Sequence, residues 1–133
     1  MHKGIISINT SNKIELIDIT TQVTKALKQT GCEAGICYLY SPHTTAGLTI
    51  NEGTDPAVQQ DIIAVMQHIV PGHFPYKHLE GNSPAHLMAS IIGISEIVFI
   101  ENTALKLGTW QRIFFCEFDG PKKRNIHWRI TGA

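Results

Sequence analysis

The sequence has few cysteines and no pairing pattern among them. Its 133 residues include only Cys32, Cys37 and Cys116, and no two of these are spaced as CxxC. An odd number without that spacing is not typical of a disulfide framework or of a thiolate zinc site. We therefore expect reduced, structural thiols in a reducing compartment.

Long hydrophobic runs and an excess of one charge are also missing. No apolar run approaches the roughly 18 residues of a membrane span, and residues 1–8 lack the apolar core of a signal peptide. Eleven basic side chains balance eleven acidic ones, which argues against a general nucleic-acid or membrane-surface binder. We expect a cytoplasmic protein whose partners include neither nucleic acid nor membrane.

The length of the chain and the order of its predicted elements define the expected fold. A chain of 133 residues fits one domain, placed at residues 1–133. The first two β-rich segments flank Ser11-Asn12 and predict an opening hairpin. The other predicted strands cover residues 34–40, 45–51, 97–100, 112–118 and 124–131.

Three helices are expected between these strands. One is predicted over residues 20–30 and ended by Gly31, one starts at Asp55-Pro56, and a short one starts at Ser83-Pro84, with Ser83 as its cap. The order ββαββααβββ predicts a single compact α+β domain with a largely antiparallel sheet.

Histidine is abundant, and most of the seven histidines fall between His43 and His86. His43 lies where a turn meets a strand, and the Gly81-Asn82 turn allows the chain to fold back between His78 and His86. Three imidazoles can hold a zinc-like ion with one open position that activates water or a phosphate oxygen. The alternative is structural: His43 caps a hairpin, and His86 forms a hydrogen bond within a helical turn.

Carboxylates near these histidines are candidate catalytic groups. Asn51 and Glu52 end the strand that follows His43, and Asp61 lies on the next helix. A carboxylate beside a metal orients water or acts as a general base. Alternatively, Glu52 simply approaches a helix N-terminus, where negative charge is favourable, and Asp61 faces solvent. The candidate catalytic set is His43, Asn51, Glu52 and Asp61.

Polar residues elsewhere predict substrate contacts. The helix start near residue 83 offers backbone amides to an anion, and the basic turn at residues 120–124 could hold phosphate, although such turns are typical of solvated surface. A tryptophan-glutamine pair offers a stacking ring and an amide, although a buried tryptophan is a common strand start. The candidate substrate contacts are Thr44, Thr45, Asn82, Ser83, Trp110, Gln111, Lys122 and Arg124.

Taken together, several spaced motifs resemble the YjbQ-like family, also described as secondary thiamine-phosphate synthases. The matching pieces are His43-Thr44-Thr45-Ala46, Leu48-Thr49-Ile50-Asn51-Glu52, Asp55-Pro56, Asp61, His78, Glu80-Gly81, Ser83-Pro84-Ala85-His86, Ser90, Gly93, Ser95, residues 108–113 and Glu117. The resemblance implies a homotrimer of α+β subunits, with polar pockets near subunit boundaries and a divalent metal held by His43, His78 and His86. It also implies a transferase that joins a hydroxymethylpyrimidine pyrophosphate to a thiazole phosphate and releases pyrophosphate.

The implied metal site and the implied reaction favour different metal ions. Three histidines suit zinc, whereas pyrophosphate chemistry usually uses magnesium held by oxygen ligands, and the chain has no carboxylate-rich run. We therefore expect zinc, or magnesium brought by a pyrophosphate substrate, and a thiamine-phosphate activity that is weak or secondary. Two alternatives stay open: a histidine-metal hydrolase or lyase acting on a small phosphorylated metabolite with Glu52 as base, and a non-catalytic trimer that binds a metabolite or metal.

Overall fold

The computed structural model describes residues 1–133 and contains three helices and eight strands. The strands are β1 His2–Asn9, β2 Glu15–Asp18, β3 Gly35–Tyr40, β4 Ala46–Glu52, β5 Ser95–Glu101, β6 Ala104–Leu105, β7 Gln111–Glu117 and β8 Lys123–Gly132. The helices are α1 Thr20–Thr30, α2 Pro56–Ile69 and α3 Ser83–Ile92. This confirms the predicted α+β fold, to which the structure adds the two-residue strand β6.

The strands form two antiparallel sheets. The larger sheet has the order β1-β8-β3-β5-β6, and the smaller one has the order β2-β7-β4. The predicted opening hairpin is wrong, because β1 pairs with β8 and β2 pairs with β7. An alternating pattern identifies a strand without naming its partner, and the loop at Ser11-Asn12 carries the chain from one sheet to the other.

The helix boundaries follow local chemistry in two of three cases. Gly31 ends α1 in the left-handed conformation with φ 68°, and Asp55 caps α2 by accepting a hydrogen bond from the Ala57 N–H. The predicted Ser83 cap is wrong. Ser83 is the first residue of α3, and the residue before it, Asn82, makes no side-chain capping bond.

The smaller sheet lies in the middle of the molecule and separates two hydrophobic cores. Along β7, Ile113 and Phe115 join the core between the two sheets and α1. Cys116 and Phe118 join a second core beneath α2 and α3. Alternate residues of a strand point to opposite faces, so β7 supplies both cores.

The outer face of the larger sheet is covered by no element of the chain. It exposes large apolar side chains at Ile5, Tyr38, Tyr40, Ile97 and Phe99, which are 41–59% exposed. Contiguous apolar surface of this kind marks interaction sites. None of the three helices combines the length and apolar character needed to cross a bilayer.

The three cysteines are free and buried, as the sequence predicted. Burial raises the pKa of both Cys37 and Cys116 to about 12. Thiols held in the protonated form are poor nucleophiles and poor metal ligands. The cysteines therefore act as small core side chains.

Candidate functional site

His43 is held against β8 by a backbone hydrogen bond. The Asn125 N–H donates to His43 Nε2 over 2.9 Å, and the imidazole packs edge-on against Phe115. Burial and the nearby charge of Arg124 hold the pKa of His43 below its usual value. A neutral imidazole that accepts at Nε2 carries its proton on Nδ1 and has no lone pair left for a metal. His43 therefore fastens the β3–β4 loop to the larger sheet. Its role is structural, but the expected hairpin is wrong, because β3 and β4 belong to different sheets.

His78 and His86 form a second, separate histidine site. Their ring centroids lie 5.0 Å apart in an edge-to-face arrangement. Both line a depression of about 320 Å³ together with Tyr76, Ser83 and Leu87. His86 and Ser83 are three residues apart on α3 and therefore share a helix face.

The expected three-histidine centre does not form within one chain. No three of the His, Cys, Asp and Glu side chains gather closely enough to hold a metal ion. His43 lies at the junction of the sheets and is already hydrogen-bonded, whereas His78 and His86 lie at the start of α3. The Gly81-Asn82 turn brings the second pair together, as the sequence suggested.

Arg124 is part of a buried ion pair, which corrects its expected role as a phosphate contact. Its Nε donates to Glu117 Oε1 over 2.8 Å, and its Nη2 donates to the Thr45 hydroxyl over 2.8 Å. Thr10 donates its hydroxyl proton to the same carboxylate. The guanidinium is turned inward because Arg124 is in phase with the core residue Ile126 along β8.

The predicted catalytic carboxylates lie far from His43. His43 precedes β4, whereas Asn51 and Glu52 end it, and a strand of that length spans roughly 20 Å. Glu52 accepts a hydrogen bond from the Asp55 N–H, which matches its alternative role at the start of α2. Asp61 is exposed on the surface of α2. The structure therefore does not gather the expected catalytic set.

The start of α3 is a poor seat for an anion. Pro84 has no N–H, and the Ala85 N–H donates to the Asn82 carbonyl over 3.0 Å, so few amides of the first turn are free. The Asn82 side chain donates from Nδ2 to Asp119 over 3.0 Å. Lys122 also pairs with Asp119, at 2.7 Å, so its charge is already matched.

Trp110 and Gln111 lie apart from both histidine sites, whereas Thr44 is the neighbour of His43 in the chain. Trp110 is 60% exposed and is not the buried strand start that the alternative described. Gln111 accepts a hydrogen bond from the Gly108 N–H, which closes the turn before β7. Thr44 is exposed in the β3–β4 loop.

Glu117 and Asp119 are the ionised groups to which the sequence assigned no role. Burial alone raises the pKa of Glu117, but hydrogen bonds from Arg124, the Asp119 N–H and Thr10 outweigh it and hold the pKa below its usual value. Asp119 behaves in the same way through Lys122 and Asn82. The sequence signal for Glu117 was its spacing. Ile113, Phe115 and Glu117 are each two residues apart along β7, so Glu117 lies on the same buried face of the strand as the two apolar residues.

Comparison with known proteins finds relatives that match nearly the whole chain. The family described as UPF0047 protein YjbQ-like matches residues 4–133. The UPF0047 protein MJ1081 of Methanocaldococcus jannaschii is 46% identical over 125 residues, which cover 94% of this chain and 91% of the relative. The UPF0047 protein YugU of Bacillus subtilis is 44% identical over 128 residues, covering 96% and 97% of the two chains.

Solved structures share the fold as well. A YjbQ/UPF0047 protein of Clostridium acetobutylicum is 48% identical, with a TM-score of 0.93, and the match covers 96% of this chain and 98% of that one. The hypothetical protein APE1520 of Aeropyrum pernix is 34% identical, with a TM-score of 0.95 over all of both chains. These two proteins are described as uncharacterized and hypothetical.

The thiamine-phosphate synthase expectation is corrected by these names. The relatives carry only the names UPF0047 or YjbQ, and a similar structure from Sulfolobus solfataricus is described as a protein of unknown function. No relative bears the name of a thiamine-phosphate synthase, so we abandon that reaction. The match of the family to residues 4–133, together with 44–46% identity to its members, shows that the chain belongs to the YjbQ-like UPF0047 family.

Proposed function

We propose that His78 and His86 bind a divalent metal ion of the zinc class, and that the metal holds a small phosphorylated metabolite. The observation that supports this proposal is the His78–His86 pair, with ring centroids 5.0 Å apart in a surface depression. Neither imidazole forms a hydrogen bond with another group of the chain, so their nitrogen lone pairs remain available. Imidazole ligands favour zinc, copper, nickel and iron over magnesium.

The donor set fits such a metal but is one protein ligand short of a usual catalytic site. Zinc sites that act on substrates typically have three protein ligands and one open position. His78 and His86 supply two, and the Ser83 hydroxyl, which makes no hydrogen bond within the chain, lines the same depression. A metal held there would polarise a phosphate oxygen, with Ser83 positioned to donate a hydrogen bond to the same group.

We propose that the missing ligand comes from a neighbouring subunit of a homotrimer. A ring of three joins two different surfaces of each chain, and we assign this role to two of the exposed apolar surfaces. One is the outer face of the larger sheet, and the other is the side of α3 at Leu87 and Ile91, which are 42% and 56% exposed. Leu87 lines the His78–His86 depression, so a subunit packed on α3 would reach the metal.

The test is zinc binding by metal-free protein, measured by calorimetry and by elemental analysis after dialysis. We expect about one zinc ion per chain and a loss of affinity of at least tenfold, by analogy with changes at metal sites, in His78→Ala and in His86→Ala. The matched control is His68→Ala, which removes an exposed imidazole from the end of α2. Unchanged zinc affinity in both site variants would contradict the proposed ligands.

The metabolite part of the proposal is tested with inorganic phosphate as the probe. The phosphate signal in phosphorus NMR should broaden with zinc-loaded wild-type protein and with zinc-loaded His68→Ala, and it should stay sharp with either protein after a chelator has removed the zinc. Ser83→Ala should weaken phosphate binding while leaving zinc binding intact. Phosphate binding that is independent of zinc would show that the metal does not hold the anion.

A further inference from the structure

A separate cavity lies on the other side of the α3 start. Its volume is about 370 Å³, within the size range of small-molecule sites. It is bounded by the end of α2, the first turns of α3 and the turn after β7, and it shares no lining residue with the His78–His86 depression.

Part of the wall of this cavity is apolar. Ile14, Val70, Pro84, Met88 and Phe118 line it, and Val70, Met88 and Phe118 also belong to the second hydrophobic core. A small ligand would therefore place an apolar body against rigid, already packed side chains. Such a preformed apolar wall reduces the ordering that binding requires.

One polar atom at the cavity wall has no partner. The Nδ2 of Asn82 donates to Asp119, and because a carboxylate only accepts, this bond fixes which end of the amide faces Asp119. The other end, Asn82 Oδ1, is buried and accepts no hydrogen bond. Leaving a buried acceptor unpaired is unfavourable, so a ligand that brings an N–H or O–H donor gains from meeting it.

The charges at the cavity select the sign of the ligand. Lys13 lines the cavity and forms no close ion pair, in contrast to Lys122, which is paired with Asp119; the Lys13 charge is near enough to Asp119 to help lower the pKa of that carboxyl. Lys13 favours a ligand with one negative charge. The Asp119 carboxylate at the same wall disfavours a ligand with several, such as a phosphate ester.

We propose that this cavity binds a small monocarboxylic acid with an apolar body and a hydroxyl or amide donor beside the carboxylate. The carboxylate pairs with Lys13, the donor meets Asn82 Oδ1 after a small rotation of the amide, and the apolar body lies between Met88 and Phe118. No bond is made or broken in this step. The proposal is independent of the metal site, since the two sites have no lining residue in common.

The test uses 2-hydroxy-4-methylpentanoate and its parent, 4-methylpentanoate, as probes in nitrogen–proton NMR titrations of the full chain. We expect the hydroxy acid to shift amide signals around Asn82, Met88 and Asp119 and to bind about fivefold to tenfold more tightly than its parent, the gain typical of one hydrogen bond. The methyl ester of the hydroxy acid should bind several-fold more weakly than the acid.

Three variants distinguish this site from nonspecific binding. Lys13→Gln changes an exposed side chain, so it should fold normally and abolish the difference between acid and ester. Met88→Trp should fill the cavity and remove binding, while Met88→Leu should preserve it. Equal binding of the two acids, unchanged acid preference in Lys13→Gln, or signal shifts confined to other regions would overturn the proposal. Binding of inorganic phosphate at the same signals in preference to the acid would overturn the stated ligand class.

Discussion

Arg124 and Glu117 form an ion pair that joins the two sheets from the inside. Glu117 is the last residue of β7 in the smaller sheet, Arg124 lies in β8 of the larger sheet, and the two side chains are 0% and 5% exposed. Thr10 and Thr45 complete the hydrogen bonding of the pair. Its charges are therefore matched even though water is excluded.

Breaking this pair should destabilise the chain strongly. Arg124→Met leaves the Glu117 carboxylate buried without its partner, and we expect a loss of about 3–5 kcal/mol of unfolding free energy, measured by urea denaturation. The matched control is the exposed pair Lys106–Glu101, where Lys106→Met should change stability by less than about 1 kcal/mol. Equal effects at the two sites would show that Arg124 does not hold the sheets together.

The stability of the chain should depend on the protonation of His43. The pKa of His43 is lowered in the folded chain by burial and by Arg124, so below its usual pKa of about 6.5 the unfolded chain takes up a proton that the folded chain resists. Unfolding free energy should therefore decrease as the pH falls from about 7 through the lower folded pKa. Protonation also breaks the bond from Asn125, which requires an unprotonated Nε2.

The variant His43→Gln should flatten this part of the pH profile, as followed by thermal melting across the range. Thr44→Ala is the control, because it alters the same loop without removing the imidazole. A wild-type profile that coincides in shape with that of His43→Gln would contradict a role for His43 in the pH dependence.

Because β4 packs closely against the end of α3, replacing Gly47 with a larger residue should lower the stability of the chain. A Cβ at Gly47 would lie 2.4 Å from the Gly93 carbonyl oxygen, which also accepts the Leu48 N–H over 3.0 Å. Because backbone atoms cannot easily move aside, Gly47→Ala should cost about 1–3 kcal/mol of unfolding free energy. Gly72→Ala, where a Cβ meets nothing within 4 Å, should be nearly neutral in the same denaturant titration, and a comparable loss there would refute the argument.

The outer face of the larger sheet should control assembly. Phe99 is 59% exposed on strand β5 of that face, and Phe99→Lys should convert the proposed trimer to monomers because a lysine buried in the interface would lack a partner. Val65→Lys is the control, since Val65 is 57% exposed on α2. Light scattering measures the mass of each form, and a Phe99→Lys protein that stays trimeric would place the contact elsewhere.

Local features of the sequence predicted local structure well. The Asp55-Pro56 start of α2 and the glycine end of α1 depend on neighbouring residues alone, so the sequence predicts them without knowledge of the fold. Strand partners cannot be predicted in this way, because β1 and β8 are more than a hundred residues apart in the sequence and become neighbours only in the folded chain.

The site was harder to predict than the fold for the same reason. Arg124 was interpreted as part of a basic surface turn because its carboxylate partner is seven residues away, on the other side of that turn. His43 lacked any local sign that the Asn125 N–H would occupy its nitrogen. In contrast, His78 and His86 are close in sequence, and their proximity was expected.

The position of β8 between β1 and β3 has a consequence for how the chain folds during its synthesis. During synthesis, residues 2–9 emerge long before residues 123–132, which are their only strand partner. Until those residues leave the ribosome, β1 and β3 both present unpaired edges, and exposed edges invite pairing with other chains. We therefore expect nascent chains to stay unfolded in this sheet until residues 123–132 have emerged, and to depend on chaperones more than a protein built of local hairpins.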